Sequence, residues 1–408
     1  MKDSKPQTSA APAEEPWFNR GVAAIGGASF FADLGYEIPT SLLPSFLTAT
    51  LGAPAAALGL IEGVADGLGG VSRLAGGAIA DDPGRRRKTA IGGYTVTAVL
   101  TAAIGVTVAV WQAGALRVAA WVARGLRAPS RSALLAEAVS EGTYGRAFGY
   151  ERAMDNLGAI GGPLLAIGLV AAVGVGNAIL LSVIPGLLAA LAIVIGIRAI
   201  PRPKRGERRA LRLRVRPVLR GRLGRLFVAI SAFEIGNAAA TLLILRATEL
   251  MQPAHSQGTA VKIALGLYAG YNLAAVVASF FGGRLGDRRG MALVFGLGAT
   301  AFGFGYAGLA ASGSSIVPLA VFFALAGIGI GFAETAEGAA VAGLAPSEVV
   351  GSAFGLLAAV QSLGNFAASV IAGALWTLVS PRAAFAYLAF WMLVSLAALV
   401  FARAGERA

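Results

Sequence analysis

The sequence lacks cysteine entirely and, among its 408 residues, has one histidine and five methionines. Disulfides, thiolate metal sites and thiol nucleophiles are therefore excluded, and too few Cys, Met and His ligands remain for a soft-metal pathway. Charge is also scarce, since 13% of the residues are Asp, Glu, Lys or Arg, about half the fraction typical of soluble domains. Because 56% of the residues are hydrophobic, a soluble enzyme, a disordered chain and a disulfide scaffold are all excluded.

Long charge-free runs indicate membrane-spanning helices. No charged residue occurs in residues 89–116, 156–197 or 291–333, which are 28, 42 and 43 residues long. Because about 20 residues span a bilayer as a helix, each of the two longer runs must cross it twice. The pattern predicts an all-α integral membrane protein with twelve transmembrane helices, near residues 20–49, 54–80, 89–111, 115–138, 144–172, 176–199, 222–251, 259–285, 291–312, 316–343, 348–377 and 382–402.

The positive charge is concentrated between the apolar segments. The net charge is +13, residues 201–225 hold eleven Lys or Arg and one acid, and further basic runs lie at 85–88 and 288–289. Because Lys and Arg are enriched in cytoplasmic loops, we predict that these loops and both termini face the cytoplasm in a multi-pass protein of the cell membrane. An interfacial helix bound to anionic lipid headgroups is the alternative for residues 201–225.

The order of segments predicts two helical bundles joined by a basic linker. The expected parts are a cytoplasmic N-terminal tail (1–19), a six-helix bundle (20–199), a basic cytoplasmic linker (200–221), a second six-helix bundle (222–402) and a cytoplasmic C-terminal tail (403–408).

The two halves also align with each other at an offset of 206 residues. The matched positions are Asp81 with Asp287, Gly125 with Gly331, GRAFG at 145–149 with GSAFG at 351–355, and Gly158 with Gly364. A parallel repeat of this kind predicts two bundles around an axis along the membrane normal, with a substrate site between them.

The loop after the second helix of each half carries one motif. GGAIADDPGRRRK at Gly76–Lys88 and GGRLGDRRG at 282–290 both contain a glycine, an acid four residues later, and then basic residues and a glycine. The duplicated motif resembles the loop signature of the major facilitator superfamily, although Asp82 stands where a basic residue is usual. The resemblance covers about residues 18–402 and implies a secondary transporter. Because Asp81 and Asp287 can accept hydrogen bonds from a neighbouring helix N-terminus or arginine, we expect them to hold the outward-facing state.

A second motif and two acids favour proton exchange. GAIGGP at Gly158–Pro163 resembles the fifth-helix motif of antiporters in that superfamily, with Ala166 and Ile167 where a glycine pair is usual. Asp33 and Glu37 are four residues apart, so they share one face of the first helix. Two carboxylates on an apolar face do not both ionise without a large cost, because desolvation and like charge favour the neutral acid. The spacing resembles that of proton-coupled drug exporters, and we predict that Asp33 or Glu37 carries the proton.

Ionisable residues at membrane depth are candidates for function. In the family, helices one, four, seven and ten line the central cavity. The resemblance therefore places there, as substrate or proton-coupling candidates, Asp33, Glu37, Arg124, Arg127, Arg131, Glu234, Asn237, Glu334 and Glu337. The acids suit a cationic substrate, the arginines suit an anionic one, and a zwitterion uses both. We also predict that Arg131 pairs with Glu337, and Arg127 with Glu334, when the cytoplasmic side closes.

A second set of charges is assigned to gating or structure. Its members are Asp81, Asp287, Arg131, Glu62, Asp66, Arg73, Glu151, Arg152 and Asp155. Glu62, Asp66 and Arg73 fall within about 40° of one another around the second helix, so we expect them to form a cluster. Arg152 can pair with Glu151 or Asp155 in a network that holds helices together.

These features predict a secondary active transporter rather than an enzyme. We expect alternating access with proton-coupled efflux, by antiport, of a small charged or amphipathic solute. No G-x-x-x-x-G-K-[ST] loop occurs, which argues against ATP-driven transport by this chain. A divalent metal exporter, and a receptor or facilitator on the same fold, are the alternatives. Expected partners are the substrate, protons and membrane lipid, and we expect a monomer with no cofactor, no bound metal and no nucleic-acid partner.

Overall fold

The structure is a computed structural model that describes residues 16–201 and 211–404. The predicted N-terminal tail, the middle of the basic linker and the end of the C-terminal tail lie largely outside these residues. The described residues contain helices and no strand. The long helices are α1 (Arg20–Ser45), α2 (Ala55–Ala80), α3 (Pro83–Val106), α4 (Val110–Glu137), α5 (Tyr144–Val173), α6 (Val175–Ala199), α7 (Gly221–Met251), α8 (Gln257–Arg289), α9 (Met291–Ala311), α10 (Ile316–Leu344), α11 (Val350–Leu378) and α12 (Pro381–Ala404).

Most of these helices have the length and composition of membrane spans. Within the described residues, nine of them, α3 and α5 to α12, are long and apolar enough to cross a bilayer. The other three, α1, α2 and α4, are 26, 26 and 28 residues long and carry charges such as Asp33 and Arg117 that are buried. The predicted all-α membrane fold is therefore confirmed. The expected twelve spans correspond to nine apolar helices and three of spanning length that carry more charge.

Two helices are interrupted, and both breaks lie in apolar spans. α6 is broken at Ser182, and α7 is interrupted between Gly236 and Ala240. At the second break, the carbonyl oxygen of Asn237 accepts a hydrogen bond from Asn365 Nδ2 at 2.7 Å. Side chains of α11 therefore satisfy backbone groups that the break releases, as the interior of a membrane protein requires.

The third helix begins earlier than the sequence pattern predicted, because a side chain caps it. Asp82 Oδ1 accepts hydrogen bonds from the backbone N–H groups of Gly84 and Arg85, at 2.9 and 3.1 Å. Pro83 occupies the first helical position, where its missing N–H costs nothing. The helix therefore starts at Pro83 rather than near residue 89, and the basic run at 85–88 forms its first turns instead of a free loop.

The helices pack as two bundles. Within the first half of the chain, α1 packs on α5 and α6, and α2 and α3 pack on α4. Within the second half, α10 packs on α8 and α9, and α12 packs on α7 and α9. Between the halves, the largest contacts join α2 to α11 and α5 to α8, and smaller ones join α5 to α10 and α4 to α11.

The two bundles touch at one end and separate toward the other. We call the end that carries Arg85–Lys88 and Arg288 the basic end. Three glycines seven residues apart form a line on one face of α2, because seven residues are nearly two helical turns. A Cβ atom on Gly77 would lie 2.8 Å from the Gly351 carbonyl oxygen of α11, and one on Gly70 would lie 3.1 Å from Ser362 Oγ. One on Gly63 would meet no atom of the described residues within 4 Å. The contact between α2 and α11 therefore ends near Gly70, and the space between the bundles opens away from the basic end.

Candidate functional site

A cavity of about 330 Å³ lies between the two bundles, and both of them line it. Its wall is unusually rich in charge for a membrane protein. The charged side chains that line it are Asp33, Glu37, Arg73, Arg124, Arg127, Arg131, Arg152, Asp155 and Glu334, and the aromatic ones are Tyr36, Tyr94, Phe148, Tyr268, Tyr271 and Phe354. The family resemblance predicted nine residues in a central cavity, and six of them are among these charged residues.

One wall of the cavity contains an aromatic contact between the two bundles. The rings of Phe148, on α5, and Phe354, on α11, are stacked with their centroids 5.6 Å apart. Both rings line the cavity, and both side chains are at least 95% buried. These two residues are also 206 positions apart in the sequence, so the contact joins the two copies of the same motif.

The charges of α4 and α5 form a network inside the first bundle. Arg131 lies 2.8 Å from Glu151 Oε1 and 3.2 Å from Asp155 Oδ1. Ser29 joins the network, since its hydroxyl donates to Glu151 at 2.9 Å and accepts from Arg131 at 3.0 Å. Because the two acids are one helical turn apart on α5, one guanidinium group reaches both.

This network continues across the gap to the second bundle through Arg152. Its Nη1 lies 3.3 Å from Asp155, and its Nε lies 3.5 Å from Glu334 on α10. The expected pairing of Arg152 with an acid of its own helix is present, at Asp155. The contact with Glu334 was not expected, and it is an ion pair that joins the two halves of the protein through the cavity.

On α1, the two acids of the predicted proton site face the same cavity and share one base. Asp33 Oδ1 lies 3.9 Å from Arg124 Nη2, and the same nitrogen donates a hydrogen bond to the Tyr36 hydroxyl at 2.8 Å. The guanidinium group also lies over the Tyr36 ring, 3.9 Å from its centroid. Glu37 has no Lys or Arg nitrogen within 4 Å among the described residues. Arg124 of α4 is thus one base beside two carboxylates, those of Asp33 and Glu37.

Two further arginines line the cavity without any carboxylate partner among the described residues. Arg127 is 5% exposed and lies over the Tyr94 ring, with its guanidinium carbon 3.7 Å from the centroid. Its Nη1 has no hydrogen-bond acceptor there. Arg73 of α2 donates from Nη1 to the Ala358 carbonyl of α11 at 2.8 Å.

The predicted pairs between α4 and α10 are wrong. The bundles are closed at the basic end, yet Arg131 contacts acids of α5 and Glu337 accepts a hydrogen bond from Gln361 at 2.7 Å. Likewise, Arg127 stacks on Tyr94 and Glu334 pairs with Arg152. The reason is that α5 packs against α10 and presents its own charges to both helices.

Three residues that were predicted to line the central cavity do not line it. Glu234, Asn237 and Glu337 are not among the described side chains that line the cavity. Glu234 accepts a hydrogen bond from Asn237 at 3.0 Å and is packed against Gly364 of α11. Glu337 lines a second cavity of about 440 Å³ that lies toward the basic end and is bounded also by Asp287. Glu234 therefore lies between α7 and α11, next to the break in α7.

No two members of the expected second-helix cluster form an ion pair with each other in the described residues, and each has a direct partner on a different helix. Glu62 pairs with Arg117 of α4 at 3.0 Å, and Asp66 accepts a hydrogen bond from Trp121 Nε1 at 2.8 Å. Arg73, as described above, reaches α11. Arg117 was missed by the sequence analysis although it is 1% exposed. Its spacing of seven residues from Arg124 on the same helix is the signal that could have identified it.

The duplicated loop motif places one carboxylate of each bundle on a helix N-terminus of the other. Asp81 Oδ1 accepts from the Ser352 backbone N–H at 2.9 Å, and Oδ2 accepts from the Ser352 hydroxyl at 2.5 Å. Asp287 accepts from the Gly145 N–H at 2.7 Å and from Arg146 Nε at 2.8 Å. Burial raises the pKa of the Asp81 carboxyl, while the hydrogen bonds from Ser352 act in the opposite direction. The contacts expected from the motif are therefore present in both copies.

The described residues offer no group of three or more His, Asp or Glu side chains placed to hold a metal ion. Oxygen ligands from several acids converging on one point are what a divalent cation site requires. The acids of the cavity are instead paired with arginines or separated from one another.

Comparison with known proteins identifies relatives over most of the chain. The family model described as Major Facilitator Superfamily matches residues 25–250 and 226–408. An uncharacterized MFS-type transporter of Methanocaldococcus jannaschii is 26% identical over 388 residues, covering 94% of this chain and 95% of that protein. An uncharacterized protein of Mycobacterium tuberculosis is 36% identical over 199 residues, which cover 48% of this chain and 48% of the relative. That match thus spans about half the length of the relative.

Solved structures share the fold at low sequence identity. The human organic anion transporter MFSD10 (TETRAN) superposes with a TM-score of 0.73 at 17% identity, over 95% of this chain and 100% of that one. The proton:xylose symporter XylE, bound to 6-bromo-6-deoxy-D-glucose, superposes with a TM-score of 0.66 at 12% identity, over 92% and 94%. At these identities the similarity establishes the architecture alone.

Proposed function

The chain belongs to the major facilitator superfamily, and from that premise we propose that it is a proton-coupled exporter of a small charged or amphipathic solute. The proposal concerns the coupling ion, the direction of transport and the side of the membrane that each end of the bundles faces. The central cavity is the proposed transport site, and alternating access moves it between the two sides of the membrane.

The distribution of charge supports an assignment of the two sides. The positive-inside rule places the basic end in the cytoplasm, where the linker and both termini then also lie. On that assignment the cavity is closed toward the cytoplasm by the Asp81 and Asp287 contacts and open toward the outside. The structure then corresponds to the outward-open state, from which an exporter releases its solute and takes up protons.

The carboxylates of α1 support proton coupling. Asp33 and Glu37 line a cavity in which, among the described residues, Arg124 alone places a nitrogen within 4 Å of either carboxylate, that of Asp33. Two acids that share one base leave one carboxylate uncompensated, and an uncompensated charge at membrane depth is costly. Protonation removes that cost, so we assign the proton to this pair.

Glu337 is a second proton-carrying candidate. It is 1% exposed, and no Lys or Arg nitrogen lies within 4 Å of it in the described residues. Its Oε2 accepts from Gln361, a residue that lines the central cavity, and Glu337 itself lines the second cavity. Glu337 and Gln361 therefore link the transport cavity to a space that opens at the basic end.

Exchange rather than symport follows if solute and proton compete for the same acids. A solute whose cationic group approaches Asp33 or Glu37 displaces the proton there, which is the requirement for antiport. The alternative of a divalent metal exporter gains no support from the cavity, because its acids do not converge as an oxygen-ligand site needs.

The single observation that carries this proposal is the position of Asp33 and Glu37 in a cavity closed at the basic end. To test it, the protein is reconstituted into liposomes that contain the pH dye pyranine, and a panel of amphipathic amines, acids and zwitterions is added under an imposed pH gradient. A compound-dependent proton flux that is lost in Asp33→Asn and Glu37→Gln, but kept in Glu141→Gln of an exposed loop, is the expected result. Compound flux that is indifferent to the pH gradient would instead indicate a facilitator.

A further inference from the structure

The cavity holds more positive than negative groups. Five guanidinium groups and four carboxylates line it. The pairs that involve Arg131, Arg152 and Arg124 account for three of the acids, and Glu37 stands nearby without a base within 4 Å in the described chain. Arg73 and Arg127 remain without any acid within that distance.

The environment of Arg127 is the stronger evidence of the two. It is 5% exposed, and its Nη1 has no acceptor within the described residues. A buried guanidinium group without a counter-ion is strongly destabilising. Stacking on Tyr94, 3.7 Å from the ring centroid, holds the planar group in one orientation but supplies no acceptor. No acceptor in the described residues serves this nitrogen, so an acceptor group of a bound solute would complete the site.

Arg73 supplies a second donor group, from a different helix. One of its nitrogens donates to the Ala358 carbonyl of α11, so the side chain lies where the two bundles meet. Its remaining N–H groups have no carboxylate to bind in the described residues. An anion seated between Arg73 and Arg127 would receive charge-assisted hydrogen bonds from α2 and α4 together.

The opposite wall of the cavity has a different character. Among the described residues that line it, the second bundle contributes no Lys or Arg and a single acid, Glu334. It contributes instead the stacked pair Tyr268 and Tyr271, whose ring centroids are 5.6 Å apart. One wall thus suits an anionic group, and the other suits a ring or an apolar body.

We propose that the solute carries an anionic group, a carboxylate, sulfonate or phosphate, that binds between Arg73 and Arg127 while its apolar body lies against Tyr268 and Tyr271. This inference rests on the proposed function only in taking the central cavity as the transport site. The anionic group belongs either to an organic acid or to a zwitterion whose cationic group faces the α1 acids. The zwitterion also accounts for exchange with protons.

Calorimetric titration of the purified protein in a neutral detergent tests the inference without any proton gradient. The probes share one ring system: indole-3-propionate is anionic, tryptophan is zwitterionic, tryptamine is cationic and indole-3-propionamide is neutral. We expect both carboxylate-bearing probes to bind more tightly than the amide, and tryptamine not to bind more tightly than it. Tighter binding of tryptophan than of indole-3-propionate indicates a zwitterion, and the reverse indicates an organic acid.

Substitutions then locate the anionic group. Arg127→Gln and Arg73→Gln should each weaken binding of the carboxylate probes roughly tenfold or more, because each removes charge-assisted hydrogen bonds. Arg127→Lys, which keeps the charge but loses the planar fork, should lose less. Arg85→Gln, which removes the same charge from the start of α3 outside the cavity, should change nothing. An unshifted elution volume and melting temperature establish that each variant is folded.

Several outcomes overturn the inference. It fails if tryptamine binds more tightly than the acids, if no carboxylate probe binds more tightly than the amide, or if folded Arg127→Gln and Arg73→Gln bind like the wild type. Preferred binding of the cation would leave proton exchange standing, since a cation also competes with protons. Anion binding without proton flux would contradict the proposed function and leave this inference intact.

Discussion

Asp81 and Asp287, which are 206 residues apart, make the same contact in opposite directions between the two bundles. Asp81 of the first bundle accepts from the backbone N–H of Ser352, and Asp287 of the second accepts from that of Gly145. Each carboxylate also binds the side chain of a residue in the first turn of its partner helix, Ser352 or Arg146. Because these two residues are themselves 206 positions apart, the contact is duplicated with the repeat, and both copies close the same end.

We predict that removing either carboxylate opens the basic end. Asp81→Asn and Asp287→Asn each replace charge-assisted hydrogen bonds, which contribute about 1.5–3 kcal/mol to a contact, by weaker neutral ones. The ratio of closed to open molecules should then fall by roughly tenfold in each, and further in the double variant. Because the chain has no native cysteine, cysteines introduced at the exposed positions Lys88 and Ser347 can be spin-labelled and the distance between them measured.

Asp82→Asn provides the matched control for this measurement. Its carboxylate is adjacent to Asp81 but caps α3 and contacts no residue of the second bundle in the hydrogen bonds and ion pairs of the described chain. It should lower thermal stability slightly and leave the distance distribution unchanged. If the distance distribution of the Asp81→Asn, Asp287→Asn double variant is that of the wild type, these contacts do not hold the basic end closed.

The sequence predicted the helices, the repeat and these loop contacts because each has a local or periodic signal. A charge-free run of 42 residues can only be helical in a bilayer, and a motif repeated in one register marks equivalent positions. The partner of a buried charge has no such signal. Arg131 was expected to meet Glu337, but α5 presents Glu151 and Asp155 at shorter range, and that depends on how three helices pack.

Gly158 illustrates a residue whose role is steric, and we predict that Gly158→Ala separates α1 from α5. A Cβ atom there would lie 2.5 Å from the Phe30 carbonyl oxygen and 2.9 Å from Asp33 Cβ. Overpacking of this kind destabilises by about 1–3 kcal/mol, so the melting temperature should fall. At Gly168, on the same helix, a Cβ atom would meet no atom of the described chain within 4 Å, so Gly168→Ala should not lower the melting temperature. Equal melting temperatures would mean that α1 moves away without cost.

We predict that Arg127→Met stabilises the protein while it abolishes binding of carboxylate probes. The substitution replaces a buried guanidinium group that has no acid partner in the described residues by an apolar side chain of similar length. Because burying a charge without a counter-ion is costly, its removal should stabilise the protein by about 1 kcal/mol or more. The melting temperature without ligand should therefore rise. A fall would mean that the chain compensates Arg127 by itself and does not await a bound anion.

Glu337→Gln should leave the fold intact and reduce proton coupling. The carboxyl is 1% exposed, its Oε2 accepts from Gln361 and its Oε1 has no partner in the described residues, so a neutral side chain of the same shape fits the site. Proton flux in pyranine-loaded liposomes should fall, while binding of carboxylate probes in detergent stays within about twofold of the wild type. Unchanged proton flux in a folded variant would restrict the proton to Asp33 and Glu37.

The ion pair between Arg152 and Glu334 should hold the two bundles together in this state. The pair joins α5 to α10 at 3.5 Å across the cavity, and Asp155 holds the other side of the same guanidinium group at 3.3 Å. Charge reversal is a poor test here, because a glutamate at position 152 would face Asp155 as well. A double-mutant cycle with Arg152→Gln and Glu334→Gln avoids that repulsion and isolates the pairwise term.

The quantity to measure in the cycle is the closed fraction, from the distance between labels at Lys88 and Ser347. Each single substitution should lower it, and the double variant should lower it by less than the two effects combined, with a coupling free energy of about 0.5–3 kcal/mol. The control cycle uses Arg117→Gln with Glu334→Gln, because Arg117 binds Glu62 and Thr40 of its own bundle and shares no partner with Glu334 in the described residues. The effects of these two substitutions should therefore be additive. A coupling between Arg152 and Glu334 no larger than that of the control cycle would show that this ion pair does not hold the closed state.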